Sequence, residues 1–371
     1  MMKAIYRRIK AVFSLIKKRD EFVYAKTYYP ECELKSKFTI FLEQFYIIMK
    51  YGNYEPFYFT YGFDRKAINL KSICSEFIIP YYKFQHKINT LNTINPIYGK
   101  YNGRTITADK FYFGIFLEKY KIPTPQIYCY IRKGRILYIS DKFNPTSGES
   151  DIEKMKAFFR YDIDAFAKPA DGQLGIGVFS LKVNDGIIYK DGSIITFDDL
   201  MKIILSGDYL IQERIVQHPK MSALCSSTLN SIRLQTVMTK EGDIVPFAPG
   251  LRMGREGSSV DNWAKGGIFV GIDMKTGKLF EKGFIKPKYG TSTKFHLDSK
   301  IVFKDYEIPF FHQAVQYAIE LHKKMYRCHS IGWDIAITEN GPVFIEGNGL
   351  WEISLLQAAH GGLKEIEQYF I

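Results

Sequence analysis

Apolar positions recur at helical spacing from the start of the chain. Ile5, Ile9, Val12, Phe13 and Ile16 predict an amphipathic helix over residues 3–19. Residues 1–105 read as mainly helical and rich in aromatics, with a break near Gly52–Pro56 and a loop around Asn95–Gly103. From about 106 the texture changes. Residues 107–121 make a helical pattern that Pro123 and Pro125 end. Short apolar runs then alternate with turns at Ile127–Ile131, Ala165–Ala167, Val178–Val183, Tyr209–Gln212, Ile232–Val237 and Val343–Ile345. Helical patterns intervene at 151–160, 197–206 and 309–326. Interleaved strands and helices predict an α/β or α+β architecture. The boundary is expected near 105, with a hinge near 212–220 dividing the larger part into 106–212 and 213–371.

Length and composition narrow the class. A chain of 371 residues, 46% hydrophobic and 24% charged, is a globular composition sized for two to three units. No apolar run approaches the length of a membrane span, and no secretory leader pattern occurs. Cys32, Cys74, Cys129, Cys225 and Cys328 are odd in number and widely spaced, which reads as reduced thiols in a cytoplasmic protein. Motifs of zinc proteases, serine hydrolases and P-loop proteins do not occur.

Charge is uneven. The net is +12, and the first 100 residues hold 17 Lys/Arg against 8 Asp/Glu. Lys3, Arg7, Arg8, Lys10, Lys17, Lys18 and Arg19 crowd residues 1–19 with no acid among them. Such a helix either lies on an anionic membrane surface or packs on its own domain with a solvated basic face. No nucleic-acid motif accompanies the charge, so no nucleic-acid partner is expected.

Three stretches carry chemistry. In the first, an apolar run ends at Lys168 and is followed by Gly172, Gly175 and Gly177 before apolar residues resume. Glycines let backbone N–H groups approach phosphate oxygens and an ammonium adds charge, although the same glycines would serve a plain hairpin. In the second, Asp334 begins a strand, Asn340-Gly341-Pro342 turns, and Glu346 and Asn348 end the next strand. If these strands pair, two carboxylates and an amide oxygen converge, a set suited to Mg²⁺; strand-end acids are also simply well solvated. In the third, an apolar strand runs into Gln212, Glu213 and Ile215, which alone is uninformative.

Taken in order, these stretches resemble the ATP-grasp superfamily, an α+β fold of two lobes gripping ATP, here preceded by a mainly helical region. Asp109-Lys110 before a helix and Ile122-Pro-Thr-Pro125 match its opening. Asn230 to Arg233, then Arg252, Asn262, Gly266-Gly267 and Gly271-Ile-Asp273, are most similar to the glutamate-ligase-like, sugar-transfer associated group. The resemblance covers about 106–371 and implies a role for each residue. Lys110 and Lys168 would bind ATP phosphates under a lid of Gly172, Gly175 and Gly177. Gln212, Glu213 and Ile215 would read adenine. Arg233 would contact the triphosphate and Arg252 the transferred phosphate or the acyl substrate. Asn262 and Gly266-Gly267 would line the acceptor site. Asp334, Glu346 and Asn348 would hold Mg²⁺.

Many superfamily ligases carry arginine two residues before the metal Asp, where this chain has Gly332, and Arg252 is the expected substitute. An acid expected on the ribose after the hinge is not evident, and His218-Pro219-Lys220 lies there. The implied activity is an ATP- and Mg²⁺-dependent carboxylate–amine ligase joining an amino acid to a sugar in surface-polysaccharide synthesis. A phosphotransferase acting on a sugar hydroxyl and an inactive membrane-associated scaffold are the alternatives. The enzyme is expected in the cytoplasm, or at the inner face of the membrane if residues 3–19 dock there.

Overall fold

Ser36, Asn69, Asp109, Ser150 and Thr196 each turn a side-chain oxygen onto a free backbone N–H and so begin a helix. The computed structural model describes residues 2–17, 27–95, 102–143, 150–170, 177–257, 266–286 and 289–370. Its helices are α1 (Met2–Lys17), α2 (Lys37–Tyr51), α3 (Leu70–Glu76), α4 (Tyr81–Thr93), α5 (Thr105–Ala108), α6 (Lys110–Lys119), α7 (Asp151–Phe158), α8 (Phe197–Leu205), α9 (Pro219–Leu224), α10 (Phe311–Lys324) and α11 (Ser354–His360). The helical pattern over 107–121 is two helices, because Asp109 leaves helical geometry (φ −127°, ψ 120°) to cap the N–H groups of Phe111 and Tyr112.

Two antiparallel sheets follow, the α+β arrangement expected. The first contains β1 (Ile127–Arg132), β2 (Arg135–Ile139), β3 (Ile163–Pro169), β4 (Phe179–Asn184), β5 (Ile187–Lys190), β6 (Ser193–Ile194) and β7 (Tyr209–Glu213), in the order β2-β1-β7-β3-β4-β5-β6. β4 alternates buried and open positions, because helices cover one face of this sheet. Met155 and Phe158 of α7 and Leu200, Met201 and Ile204 of α8 fill that side.

The second sheet contains β8 (Ser231–Met238), β9 (Ile244–Met253), β10 (Ile268–Ile272), β11 (Leu279–Ile285), β12 (Ser292–Thr293), β13 (Ser330–Thr338) and β14 (Gly341–Asn348), in the order β12-β11-β10-β9-β8-β13-β14. Its central strands are buried almost throughout, since both faces are covered. Phe311, Ala314, Ala318 and Leu321 of α10 pack on one face. Tyr81, Phe84 and Ile88 of α4 meet Phe247, Trp351 and Phe370 on the other. Asn92, fully buried, ties α4 to this sheet: its amide donates to the carbonyls of Ser330 (2.8 Å) and Gly349 (2.6 Å), and its oxygen accepts from Ser330 N–H (2.8 Å).

Helix α6 joins the lobes. Phe113 and Leu117 enter the core of the second sheet, while Phe111 and Ile115 pack beside Ile127, Tyr130 and Leu210 of the first. Residues 111 and 115 share one face of the helix, and 113 and 117 another. Two side chains per lobe thereby fix where the open face of the first sheet meets the edge of the second.

Helix α1 packs on the rest of the chain mainly through residues beside its predicted apolar stripe. Ala11 and Leu15, with Val12 partly buried, pack on Ile48 and Tyr54, while Ile5, Ile9, Phe13 and Ile16 stay half-exposed. All five cysteines are free thiols. Among the described residues no helix is long and apolar enough to cross a membrane.

Candidate active site between the two sheets

Each site residue is placed by its strand register. On the first sheet Phe166 pairs with Gln212 and Lys168 with Leu210. Ala165, Ala167 and Ile211 point into the helix-covered core. Period-two alternation therefore turns Phe166, Lys168, Leu210 and Gln212 to the face that meets α6. Lys168 Nζ lies 3.5 Å from Gln212 Oε1. The expected end of the strand at the lysine falls one residue later, at Pro169.

On the second sheet Asp334 pairs across to Glu346 on one side and to Arg233 on the other, and Gly332 pairs with Asn348. The hairpin expected from Asn340-Gly341-Pro342 forms, with Gly341 at φ +117°. Asp334 does not begin its strand as expected but sits in the middle of β13, because pairing with β8 extends the strand back to Ser330.

Its carboxylate is nearly buried and held by two guanidinium groups, Arg233 (Nε–Oδ1 3.0 Å) and Arg252 (Nη2–Oδ2 3.2 Å). The Asn348 amide donates to Oδ2 at 3.4 Å. Glu346 lies 3.8 Å from Lys110 Nζ, the first residue of α6. Gly332 has no room for a side chain. A Cβ there would stand 2.7 Å from Trp351 Cβ and 3.1 Å from Arg233 Nη1, so the guanidinium of Arg233 occupies that space from the neighbouring strand.

The electrostatics join both lobes. Burial, then the like charge of Lys110, lowers the Lys168 ammonium to about 8, while Glu346 opposes the shift. Burial, then the charge of Asp334, raises the Glu346 carboxyl, with Lys110, Arg233 and Arg252 acting against it. Four cations and two carboxylates thus feel one another at the junction. Asp334 and Glu346 repel, and a divalent cation between them would relieve that repulsion. With the Asn348 amide oxygen they would supply hard-oxygen donors of the kind Mg²⁺ takes. The residues fit the metal.

Elsewhere the candidates divide. Gln212 is buried. Glu213 ends β7, donating its N–H to the Gln126 carbonyl (2.9 Å) and accepting the Gln126 N–H on its carboxylate (3.2 Å); Ile215 follows, half-buried. Gly177 has φ +75° just before β4, which pairs with β3, so the glycine-bearing stretch connects a true hairpin. Gly172, Gly175 and Asn262 lie outside the described residues. Gly266, at φ +94°, and Gly267 precede β10.

Asn230 belongs to the scaffold, its buried amide donating to the carbonyls of Met221 and Cys225, both at 2.8 Å. His218 caps α9 by accepting from Lys220 N–H at 3.0 Å. Asp273 accepts from Lys275 and Thr276 N–H groups in a turn. Pro123 and Thr124 lie along β14, where the Phe344 N–H donates to the Pro123 carbonyl (2.8 Å). Sequence reasoning missed Trp351 and Gly114. Gly114 carries a signal, as a glycine inside an apolar helix marks a close approach: a Cβ there would meet Ile127 Cδ1 at 2.6 Å.

A lysine from the first sheet, another from the start of α6 and two carboxylates from the second sheet come together at this junction. The family model of the sugar-transfer associated ATP-grasp proteins matches residues 93–368, and the chain belongs to that family. Comparison with curated protein sequences returns no match.

Similar solved structures include an ADP complex of N5-carboxyaminoimidazole ribonucleotide synthetase (10% identity, TM-score 0.38, 67% of this chain and 46% of that one). The D-alanine-D-alanine ligase from Coxiella burnetii is another (11%, 0.39, 72% and 57%). A third is a biotin carboxylase–β,γ-ATP complex from Campylobacter jejuni (13%, 0.40, 72% and 47%). The chain spans about half the length of these proteins.

Proposed function

We propose that this protein is an ATP- and Mg²⁺-dependent carboxylate–amine ligase that joins an amino acid to a sugar acid or amino sugar. The observation that carries the reading is the junction itself, where Lys110, Lys168, Arg233 and Arg252 surround Asp334 and Glu346. Such a site neutralises and positions phosphate without supplying a nucleophile. In the first step a substrate carboxylate oxygen attacks the γ-phosphorus of ATP, the bond to the bridging oxygen breaks, and ADP leaves. In the second an amine attacks the acyl carbon, inorganic phosphate departs, and the nitrogen loses a proton.

Lys110 and Lys168 would bind phosphate oxygens, and Gln212, Glu213 and Ile215 would hold the adenine. Arg233 and Arg252 would orient the transferred group, with Asn262 and Gly266-Gly267 along the acceptor. Asp334, Glu346 and Asn348 would hold Mg²⁺, which when bound offsets charge on the phosphates. The family's description supports a sugar substrate.

The test is isotopic. With an ¹⁸O-labelled carboxylate substrate and an amine, ADP release should need both, and one ¹⁸O should appear in the phosphate released. ADP release with a sugar alcohol alone, yielding a phosphorylated sugar, would make the enzyme a phosphotransferase and overturn the ligase reading.

A further inference from the structure

Two neighbouring helices leave their apolar faces open on the same side of the molecule. On α1, Ile5, Ile9, Phe13 and Ile16 are each about half-exposed or more. On α2, Phe38, Phe41, Phe45 and Met49 recur at helical spacing and are between 40% and 70% exposed. The two stripes are continuous, because Ile5, Ile9, Phe13, Phe45 and Met49 line one shallow groove between the helices. Neither is loose: Ala11 and Leu15 pack on Ile48 and Tyr54, and the Arg8 guanidinium donates to the Met49 carbonyl at 2.9 Å. A soluble protein rarely leaves so many large apolar side chains together without a partner for them.

The charge around the patch has one sign. Arg7, Lys10 and Lys17 of α1 and Lys37 and Lys50 of α2 are exposed. α1 carries no acid, and the acid of α2, Glu43, is turned inward to Lys35 at 2.8 Å. A second copy of this chain would bring like charges together around the apolar contact. An anionic lipid surface takes both features, the apolar side chains entering at headgroup depth and the cations meeting phosphate.

We propose that α1 and α2 together form a platform docking the enzyme on an anionic bilayer, with Phe13 and Phe45 as inserting side chains. The platform shares no residue with the junction, and its occupancy does not depend on which reaction the junction performs.

Flotation of the full chain with phosphatidylcholine vesicles, with and without phosphatidylglycerol, tests it. The protein should co-float with the anionic vesicles and much less with the neutral ones, and high salt should weaken binding. Replacing Arg7, Lys10 and Lys17 by Ala should weaken it by on the order of a hundredfold, at about fivefold per cation. Phe13→Glu with Phe45→Glu should weaken it at least about tenfold at an unchanged melting temperature, since both side chains are exposed. The wild-type lipid and salt comparisons stand without any variant. Absence of flotation, or equal binding to neutral vesicles, would overturn the proposal. So would a concentration-dependent dimer, dissolved by the Phe13/Phe45 change, in a protein that ignores vesicles.

Discussion

Glu346 and Lys168 approach the same space from opposite sheets, and the proposed chemistry asks different things of them. Glu346→Gln keeps the shape of the side chain while removing a charge that already repels Asp334, so the melting temperature should hold. Turnover should fall by about 10²-fold or more, with the Mg²⁺ concentration for half-activation rising, because a metal donor is weakened. Ordinary activity at ordinary Mg²⁺ would remove Glu346 from the metal site.

Lys168 gives a pH dependence with a defined sign. Its ammonium titrates near 8, below the usual lysine range, through burial and Lys110. Below that value it carries the charge a polyphosphate needs, and above it the charge is lost. The nucleotide dissociation constant should therefore be flat below pH ~8 and rise by up to about tenfold per pH unit above it. Bound polyphosphate favours the cation, so calorimetry near pH 8 should register proton uptake. Lys168→Met should abolish both effects, and an unchanged pH profile in that variant would place the titration elsewhere.

At the scale of elements, the fold depends on how closely α6 approaches the first sheet, because that helix contributes side chains to both lobes. Gly114 permits the approach, with Ile127 where its Cβ would stand. Gly114→Val should cost about 1–3 kcal/mol in urea unfolding through overpacking. Ile127→Ala made alone should be destabilising, yet in the Gly114→Val background it should recover part of the loss. Simple additivity of the two changes would argue that α6 and β1 can separate freely.

The elements also mark what the sequence could disclose. The alternation in β4 and the apolar run of β3 stand out because one face is covered by helices. The Asn340-Gly341-Pro342 turn revealed the β13–β14 hairpin. Strand β9 was illegible, as Pro246, Pro249 and Gly250 interrupt it, although it carries Arg252 into the site. The helix break at Asp109 was hidden because a capping aspartate looks like any polar position in a helical pattern. Gly332 looked like a defect in the site until the register put Arg233 beside it, information that no local pattern contains.

For the whole molecule, the ATP-grasp character of the chain was legible because its motifs come in order along the sequence. How the first 105 residues join the rest was not. Aromatic side chains in that segment declare that something must be buried, but not against what. The structure sets Tyr81, Phe84 and Ile88 against Phe247, Trp351 and Phe370, on the sheet face that also carries Arg233 and Asp334. Trp351 in turn crowds Gly332 beside the Arg233 guanidinium. The N-terminal region therefore backs the site through a shared core, and its parts should differ in how far they can be removed. Among the described residues, deleting 1–17 removes the small contact of Ala11, Val12 and Leu15 and the Arg8 hydrogen bond to Met49, and should shift the melting temperature by a few degrees at most. A fragment of residues 106–371 uncovers Phe84's partners and removes Asn92 from Ser330 and Gly349, leaving buried backbone groups unpaired. That fragment should aggregate or melt without a cooperative transition, as read by circular dichroism and gel filtration. A soluble fragment with a sharp melt and intact nucleotide binding would show that the second sheet holds its site face without α4.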